Sequence, residues 1–327
     1  MQAEGGILMK IVVLDGKALN PGDLSYDHLH QYGEVTIYQK TESEEETIRR
    51  IGDSEIVLVN KVPITEAVLA ACPNIKLICV QATGYNIVDC KACADRGIPV
   101  TNVPTYGTAA VAQFTMALIL EMCHRVGLHN HSVHQGDWAK AESFCYWLTP
   151  QMELAGKTLG IIGFGRIGQA VGKLAAAFGM KVITYNRSES EEGRKIADYV
   201  DLDTLFTQSD IISLHCPLFP ETEKIINASN IAKMKDGAML VNTARGGLVD
   251  EEALVEMLES GKLRYAAVDV VSSEPMKADN PLLKTRKCII TPHIAWAPVE
   301  SRQRLMDCVE ENIRSYLNGK PQNVVNM

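Results

Sequence analysis

The hydrophobic positions of this chain fall into short runs rich in β-branched residues, and a polar or helical stretch parts each run from the next. The first series is KIVVLDG (10–16), EVTIYQ (34–39), SEIVLVN (54–60), IKLICVQATG (75–84) and IPVTNV (98–103). The second is KTLGIIGFG (157–165), KVITYN (181–186), DIISLHCP (210–217), GAMLVNTA (237–244), YAAVDVV (265–271) and CIITPH (288–293). Short strands alternating with helices predict parallel sheets. Helix signals sit between the runs. Ser43 and Glu46 in TESEEETIRRIG have the spacing of a capping box. Asp250 is the expected N-cap of DEEALVEMLESGK, and Gly261 its stop. The stretch 107–126, GTAAVAQFTMALILEMCHRV, is apolar nearly all round, which predicts a helix buried between domains or subunits.

The expected fold class is therefore α/β, with two Rossmann-like domains built on parallel sheets. The chain is expected to enter its second domain (107–293) through the long helix and to return to the first near residue 293. The first domain, 1–106 with 294–327, is then discontinuous, and a cleft is expected beside His293. Residues 1–8 read as a loose extension.

A length of 327 residues suits roughly two domains. The net charge of −8, from 40 acidic and 32 basic residues, argues against a nucleic-acid surface. No apolar run approaches the ~20 residues that span a bilayer, and MQAEGGIL lacks the basic start and apolar core of a signal peptide. Neither nucleic acid nor membrane is expected as a partner. The nine cysteines are scattered. Cys90 and Cys93 form a lone C-x-x-C with no second pair, whereas a structural zinc site takes four ligands. His124, His129, His131 and His134, with Glu121 and Asp137 nearby, show no ligand spacing. No metal is expected, and free thiols point to a reducing cytoplasm.

The chemistry starts at GIIGFGRIGQAVG. Gly163, Gly165 and Gly168 have G-x-G-x-x-G spacing, close a strand and open a helix. That context makes the pattern a dinucleotide fingerprint. Gly163 permits the tight turn, Gly165 lets backbone approach a pyrophosphate, and Gly168 lets helix and strand pack closely. The helix end supplies N–H groups and a positive dipole. At the end of the next strand an acidic residue would favour NAD. This chain has Asn186, Arg187 and Ser188, of which Arg187 can pair with a 2′-phosphate and Ser188 can donate to one. Glu189, Glu191 and Glu192 push the other way. The cofactor is expected to be NAD(H) or NADP(H), with a lean toward NADPH use.

Ligands of such a domain bind at the carboxyl ends of the strands. Arg245 follows MLVNTA, Glu274 lies in VDVVSSEP, and His293 ends CIITP. Hydride addition to a ketone leaves an oxygen that needs a proton, which a protonated imidazole can give. Glu274 beside His293 would stabilise the imidazolium. Arg245 could grip a substrate carboxylate and polarise the neighbouring carbonyl.

Together GKTLGIIGFGRIGQAVG, LHCPL, NTARGGLVDEEAL, DVVSSEP and TPHIAW resemble the D-isomer-specific 2-hydroxyacid dehydrogenase family, in its order and over nearly the whole chain. ATGYNIVD, NVPTYGTAAVAQ and GKPQNVVN most resemble its glycerate dehydrogenase (hydroxypyruvate reductase) branch. The resemblance implies that Arg245, Glu274 and His293 are the catalytic set. It implies that Thr83 and Gly84 offer N–H groups to the substrate carboxylate. It places Arg166, Ile167, Cys216, Pro217, Thr222, Thr243 and Asp269 beside the cofactor. The first domain becomes a flavodoxin-like substrate-binding domain, and the second the NAD(P)-binding domain. The expected activity is reduction of small 2-keto acids, hydroxypyruvate before glyoxylate, to D-2-hydroxy acids. A homodimer is implied, formed through the long helix and WAKAESFCYWL. Asn186 departs from the Asp common in NAD-using members. D-lactate and phosphoglycerate types remain alternatives, the latter commonly carrying an added C-terminal domain. So does a cofactor-sensing binding protein of the same fold.

Overall fold

The computed structural model describes residues 9–327, so the extension expected at 1–8 lies outside the described residues. The first series of apolar runs forms β1 (Met9–Val13), β2 (Gly33–Ile37), β3 (Ile56–Val59), β4 (Leu77–Val80) and β5 (Val100–Thr101). They pair in parallel in the order β2-β1-β3-β4-β5. Helices α1 (Glu44–Ile51), α2 (Glu66–Ala71) and α3 (Cys90–Asp95) connect the strands. Each has a side-chain N-cap, from Ser43, Thr65 and Asp89. The Ser43 box is offset at its second bond. Ser43 accepts from the Glu46 N–H, but the Glu46 carboxylate takes the N–H of Glu42 rather than that of Ser43.

The second series forms a seven-stranded parallel sheet. Its strands are β6 (Thr158–Ile162), β7 (Lys181–Tyr185), β8 (Asp198–Tyr199), β9 (Ile211–Leu214), β10 (Ala238–Asn242), β11 (Leu263–Val268) and β12 (Cys288–Ile290). The order is β12-β11-β10-β9-β6-β7-β8. The two-residue edge strand β8 has no apolar run to announce it. Successive strands run outward in opposite directions from the β6/β9 pair, so that boundary is the switch point where open α/β sheets bind ligands. One face of the sheet buries Phe206, Leu214, Leu240 and Leu254. The other buries Ile119, Ile161, Val171 and Val241. A fully buried aliphatic side chain of this kind contributes about 1.5–3 kcal/mol.

The helix expected over 107–126 is present and is followed at once by a second one. Helix α4 (Thr108–His124) ends where Arg125 adopts the left-handed conformation, with φ 50°, and α5 (Val126–His134) begins on a new axis. The Arg125 guanidinium stacks over the Tyr265 ring at 5.0 Å, which fixes the corner. Five further helices flank the sheet: α6 (Arg166–Ala177), α7 (Glu191–Arg194), α8 (Leu202–Gln208), α9 (Ala228–Lys233) and α10 (Glu251–Glu259). Asp250 caps α10 through the Ala253 N–H, and Gly261 follows the helix with φ 82°.

The last helix, α11 (Val299–Leu317), packs against β4 of the first sheet with Leu305, Val309 and Ile313 buried. Near its start Arg302 grips the two carboxylate oxygens of Asp23 at 2.7 and 2.6 Å, which holds that carboxyl below its usual range. The described residues thus form two units. One comprises those up to Gly107 with Ala297–Met327; the other is Thr108–Trp296.

Candidate active site

The loop after β6 shows which of its glycines the protein itself requires. A Cβ at Gly163, whose φ is 93°, would lie 2.4 Å from the Cys216 backbone nitrogen. One at Gly168 would lie 2.3 Å from the Gly163 carbonyl oxygen. Both are closed by the chain's own packing. Around a Cβ at Gly165 there is open space, and its backbone is extended with φ −77°. Nothing in the chain's own packing demands glycine there, and the open space leaves room for a ligand. Gly165 is also the N-cap of α6 without a side-chain hydrogen bond, which leaves the first-turn N–H groups of Arg166 and Ile167 facing outward. A backbone cradle at a dipole's positive end fits a pyrophosphate.

At the end of β7 the Asn186 side chain turns back into the protein. Its Oδ1 accepts from the Phe164 N–H at 3.1 Å, and its Nδ2 donates to the Ser188 carbonyl at 2.6 Å. It therefore ties the adenosine-side loop to the phosphate loop. Among the described residues Arg187 has no ion pair, while Glu189 pairs with Arg194 at 2.7 Å and Glu192 with Lys195 at 2.6 Å. Two of the three acidic neighbours are thus neutralised.

Past β9, Cys216 is buried against Gly163, and burial pushes its thiol up to about 11. His215 lies 2.8 Å from the Ser213 hydroxyl, and burial pushes its imidazole down to about 3. It is neutral at physiological pH and is no proton donor. The Thr222 hydroxyl closes a turn, accepting from the Phe219 N–H and donating to the Pro217 carbonyl, each at 2.8 Å. The Thr243 hydroxyl meets that of Thr115 at 3.0 Å. Thr222 and Thr243, expected beside the cofactor, thus also shape the loops that line this end of the sheet.

His293 is not the end of a strand. β12 stops at Ile290, and His293 stands in a tight turn with φ 55°, a conformation rare for a non-glycine residue. The turn is held by Asp269, which is 1% exposed. Its carboxylate accepts from the Thr291 hydroxyl at 2.5 Å, the Ile294 N–H at 2.9 Å and the Ala295 N–H at 2.8 Å. Its carbonyl accepts the His293 N–H at 2.8 Å. Asp269, expected to line the cofactor, gives its hydrogen bonds to the turn that presents the histidine. His293 Nδ1 lies 2.7 Å from Glu274 Oε2. A carboxylate oxygen only accepts, so Nδ1 carries a proton and Nε2 is the free, outward nitrogen. Both side chains are a little over one-third exposed, open to a substrate yet near enough to the wall to hold their geometry.

Arg245 is exposed in the loop after β10, and one guanidinium nitrogen donates to the Ala244 carbonyl at 2.7 Å. Asn242, fully buried, pins that loop by donating to the Arg245 carbonyl and accepting from the Ala244 N–H. A Cβ at Gly246 would lie 1.9 Å from the Val271 carbonyl carbon. The loops carrying Arg245 and Glu274 are therefore in direct backbone contact. The fold brings Arg245, Glu274 and His293 to the carboxyl ends of three adjacent strands.

In the other unit, Thr83 and Gly84 follow β4. Their N–H groups make no hydrogen bond within the described chain. The Thr83 carbonyl accepts from Asn102 Nδ2 at 2.7 Å, and its hydroxyl donates to the Val103 carbonyl at 2.8 Å. The loop is braced from both sides with its donors outward.

Residues 116–295 match the family model described as D-isomer specific 2-hydroxyacid dehydrogenase, NAD binding domain. The chain belongs to the D-isomer-specific 2-hydroxyacid dehydrogenase family. It is 55% identical over 325 residues to a hydroxypyruvate reductase of Blautia hydrogenotrophica, covering 97% of this chain and 100% of that one. It is 41% identical to a glycerate dehydrogenase of Methylorubrum extorquens, covering 97% and 98%. Among solved structures, an acyclic imino acid reductase in complex with NADPH and D-arginine superposes with a TM-score of 0.83 at 32% identity, covering 97% and 100%. The chain is thus a D-2-hydroxyacid dehydrogenase that uses a nicotinamide dinucleotide.

Asn242 and the turn-holding role of Asp269 escaped the sequence reading. Both are polar residues at the end of apolar runs, and only that placement hinted at a task beyond the strand. Glu251 escaped it as well, because an acidic residue in a helix's first turn already has an ordinary explanation.

Proposed function

We propose that this dehydrogenase reduces small 2-keto acids, with hydroxypyruvate ahead of glyoxylate, to the D-2-hydroxy acids D-glycerate and glycolate. The 2.7 Å Glu274–His293 pair, at the same strand ends as Arg245, carries the reading. When bound, the dihydronicotinamide supplies the hydride that the keto carbon accepts. His293 Nε2 gives the proton to the oxygen. Before the transfer Glu274 stabilises the doubly protonated imidazolium; afterwards the neutral imidazole keeps its remaining proton on Nδ1, hydrogen-bonded to the Glu274 carboxylate. Arg245 holds the substrate carboxylate and polarises the carbonyl with its free N–H groups. The free N–H groups of Thr83 and Gly84 are donors suited to a substrate carboxylate, and on that reading their unit is the substrate-binding domain. Gly163, Gly165, Gly168 and the first turn of α6 hold the pyrophosphate.

NADPH serves alongside NADH on this reading. The Asn186 carbonyl is occupied by Phe164, and Arg187 stands free of ion pairs beside acidic residues that are mostly neutralised. We also propose a homodimer in the cytoplasm. Trp138, Phe144 and Trp147 are 54%, 88% and 68% exposed in the stretch after α5, a cluster of bare aromatics that a second copy would cover. All nine cysteines are free, in keeping with a reducing compartment.

Initial rates of hydroxypyruvate-dependent oxidation of NADH and NADPH, followed side by side at the nicotinamide absorbance, test the reading. Turnover supports it, and the ratio of the two rates reports on Arg187. No turnover with hydroxypyruvate or glyoxylate would overturn it.

A further inference from the structure

The first turn of α10 contains two neighbouring carboxylates, Glu251 and Glu252, which serve the helix dipole equally. Only Glu251 does more. Its Oε1 accepts the Ser272 N–H at 2.7 Å. Its Oε2 accepts the Ser272 hydroxyl at 2.8 Å and Asn280 Nδ2 at 2.9 Å. Three donors converge on one carboxylate, and all three belong to the segment that carries Glu274. Asn280 is itself fixed, because its Oδ1 caps the short helical turn at Leu282. Glu251 also opens α10, six residues after Arg245, and within the loop between them Gly246 packs directly on the backbone of Val271 and Ser272.

We propose that Glu251 is a positioning residue, which holds the Glu274 segment against the Arg245 loop and so sets the geometry of the Glu274–His293 pair. Glu274 reaches His293 from a loop, and its other oxygen takes only a long bond of 3.3 Å from the Val271 N–H. Ser272 lies between Val271 and Glu274, and Glu251 anchors it through both its backbone and its side chain. The charged groups on the segments packed around the pair are Asp269, whose carbonyl takes the His293 N–H, Glu251, which holds Ser272, and Arg245, next to the Gly246 that touches Val271 and Ser272. Of these, Glu251 bridges the Arg245 and Glu274 segments. The inference rests on the proton-donor reading of His293.

The test compares E251A, E251Q, E252A and E274Q with the parent enzyme in hydroxypyruvate reduction across pH, with dinucleotide affinity and melting temperature measured in parallel. E251A is expected to lower kcat between about ten- and a hundredfold, the scale of a small misplacement of reacting groups. Dinucleotide affinity stays unchanged, and the upper pH limit of reduction moves down in the direction E274Q moves it. E251Q restores part of both, because its amide oxygen still accepts the Ser272 N–H and its NH2 can donate to the Ser272 oxygen, while the bond from Asn280 Nδ2 is lost. E252A matches the parent. An E251A enzyme with lowered melting temperature but parental kcat and pH profile would overturn the inference, as would an E252A enzyme with the same defect. If E251A does not fold, E251D withdraws the carboxylate by one methylene. A lowered pH limit in E251D then supports the brace, and an unchanged profile removes it. An unchanged pH limit in E274Q removes the proton-donor reading itself, whereas parental E251 variants beside a shifted E274Q remove only the brace.

Discussion

The phosphate loop and the His293 turn lie at the same end of the same sheet and are built in opposite ways. The loop is backbone: three glycines and the uncapped start of α6, all within six residues of sequence. The turn is side chain. It draws Asp269 from the end of β11, Glu274 from the next loop and His293 from beyond β12, with Arg245 from the loop after β10. A backbone site needs only local geometry and survives most changes of neighbouring side chains. A side-chain site depends on several long-range contacts that must all be correct at once, so it is the more fragile under substitution.

The sharpest contrast comes from H293A. Loss of the proton donor should lower kcat for hydroxypyruvate about 10²–10⁴-fold while dinucleotide binding, followed by fluorescence titration, stays as it was. Equal losses in both would mean that the two sites are not separable. Within the phosphate loop, Gly163 and Gly165 should part company. G163A meets both a positive φ and the Cys216 backbone, and should destabilise the fold by about 2–4 kcal/mol in denaturant unfolding. G165A meets open space and should change stability by no more than about 0.5 kcal/mol. It should nonetheless weaken dinucleotide binding at least about tenfold, because its methyl occupies room left for the ligand. A stable G165A that binds as before would show that the space is not the pyrophosphate's.

The two histidines of this sheet end give a pH contrast. His215 is held neutral down to about pH 3 in the fold, against about 6.5 when unfolded. The stability this group contributes is complete above about pH 6.5 and is lost as the pH falls toward 3. At pH 5 the loss amounts to about 2 kcal/mol. Melting curves of H215N should lack this part of the acid slope; an identical slope would show that His215 takes up no extra proton on unfolding. The smallest effect is expected at the adenosine end. R187A should lower the NADPH-to-NADH ratio of kcat/KM about fivefold, the worth of one exposed ion pair, and a ratio that does not move would leave Arg187 a solvated charge.

Periodicity and spacing were enough to place most strands of both sheets, the caps at Ser43 and Asp250, and the glycine loop. Each of these depends on residues close in the chain. The edge strand β8 was missed because Asp198 and Tyr199 carry no apolar pattern, and the break at Arg125 because a single left-handed residue leaves no mark on hydrophobic periodicity. The three residues at the strand ends were legible as candidates, since chemistry at the carboxyl end of a parallel strand is a general rule. Their mutual geometry was not.

Taken alone, the sequence determined the α/β class and the family, and it named the glycine loop and the candidates for the acid, the cation and the carboxylate. Tertiary structure decided how they are held. It turned Asp269 inward to shape the histidine's turn, gave Asn186 to Phe164, and set Glu251 across the Glu274 loop. The reason is physical. Local motifs fix backbone conformation through neighbours in the chain, whereas a carboxylate held in the fold takes whichever donors the fold brings to it, and those donors here lie about 20 to 30 residues away.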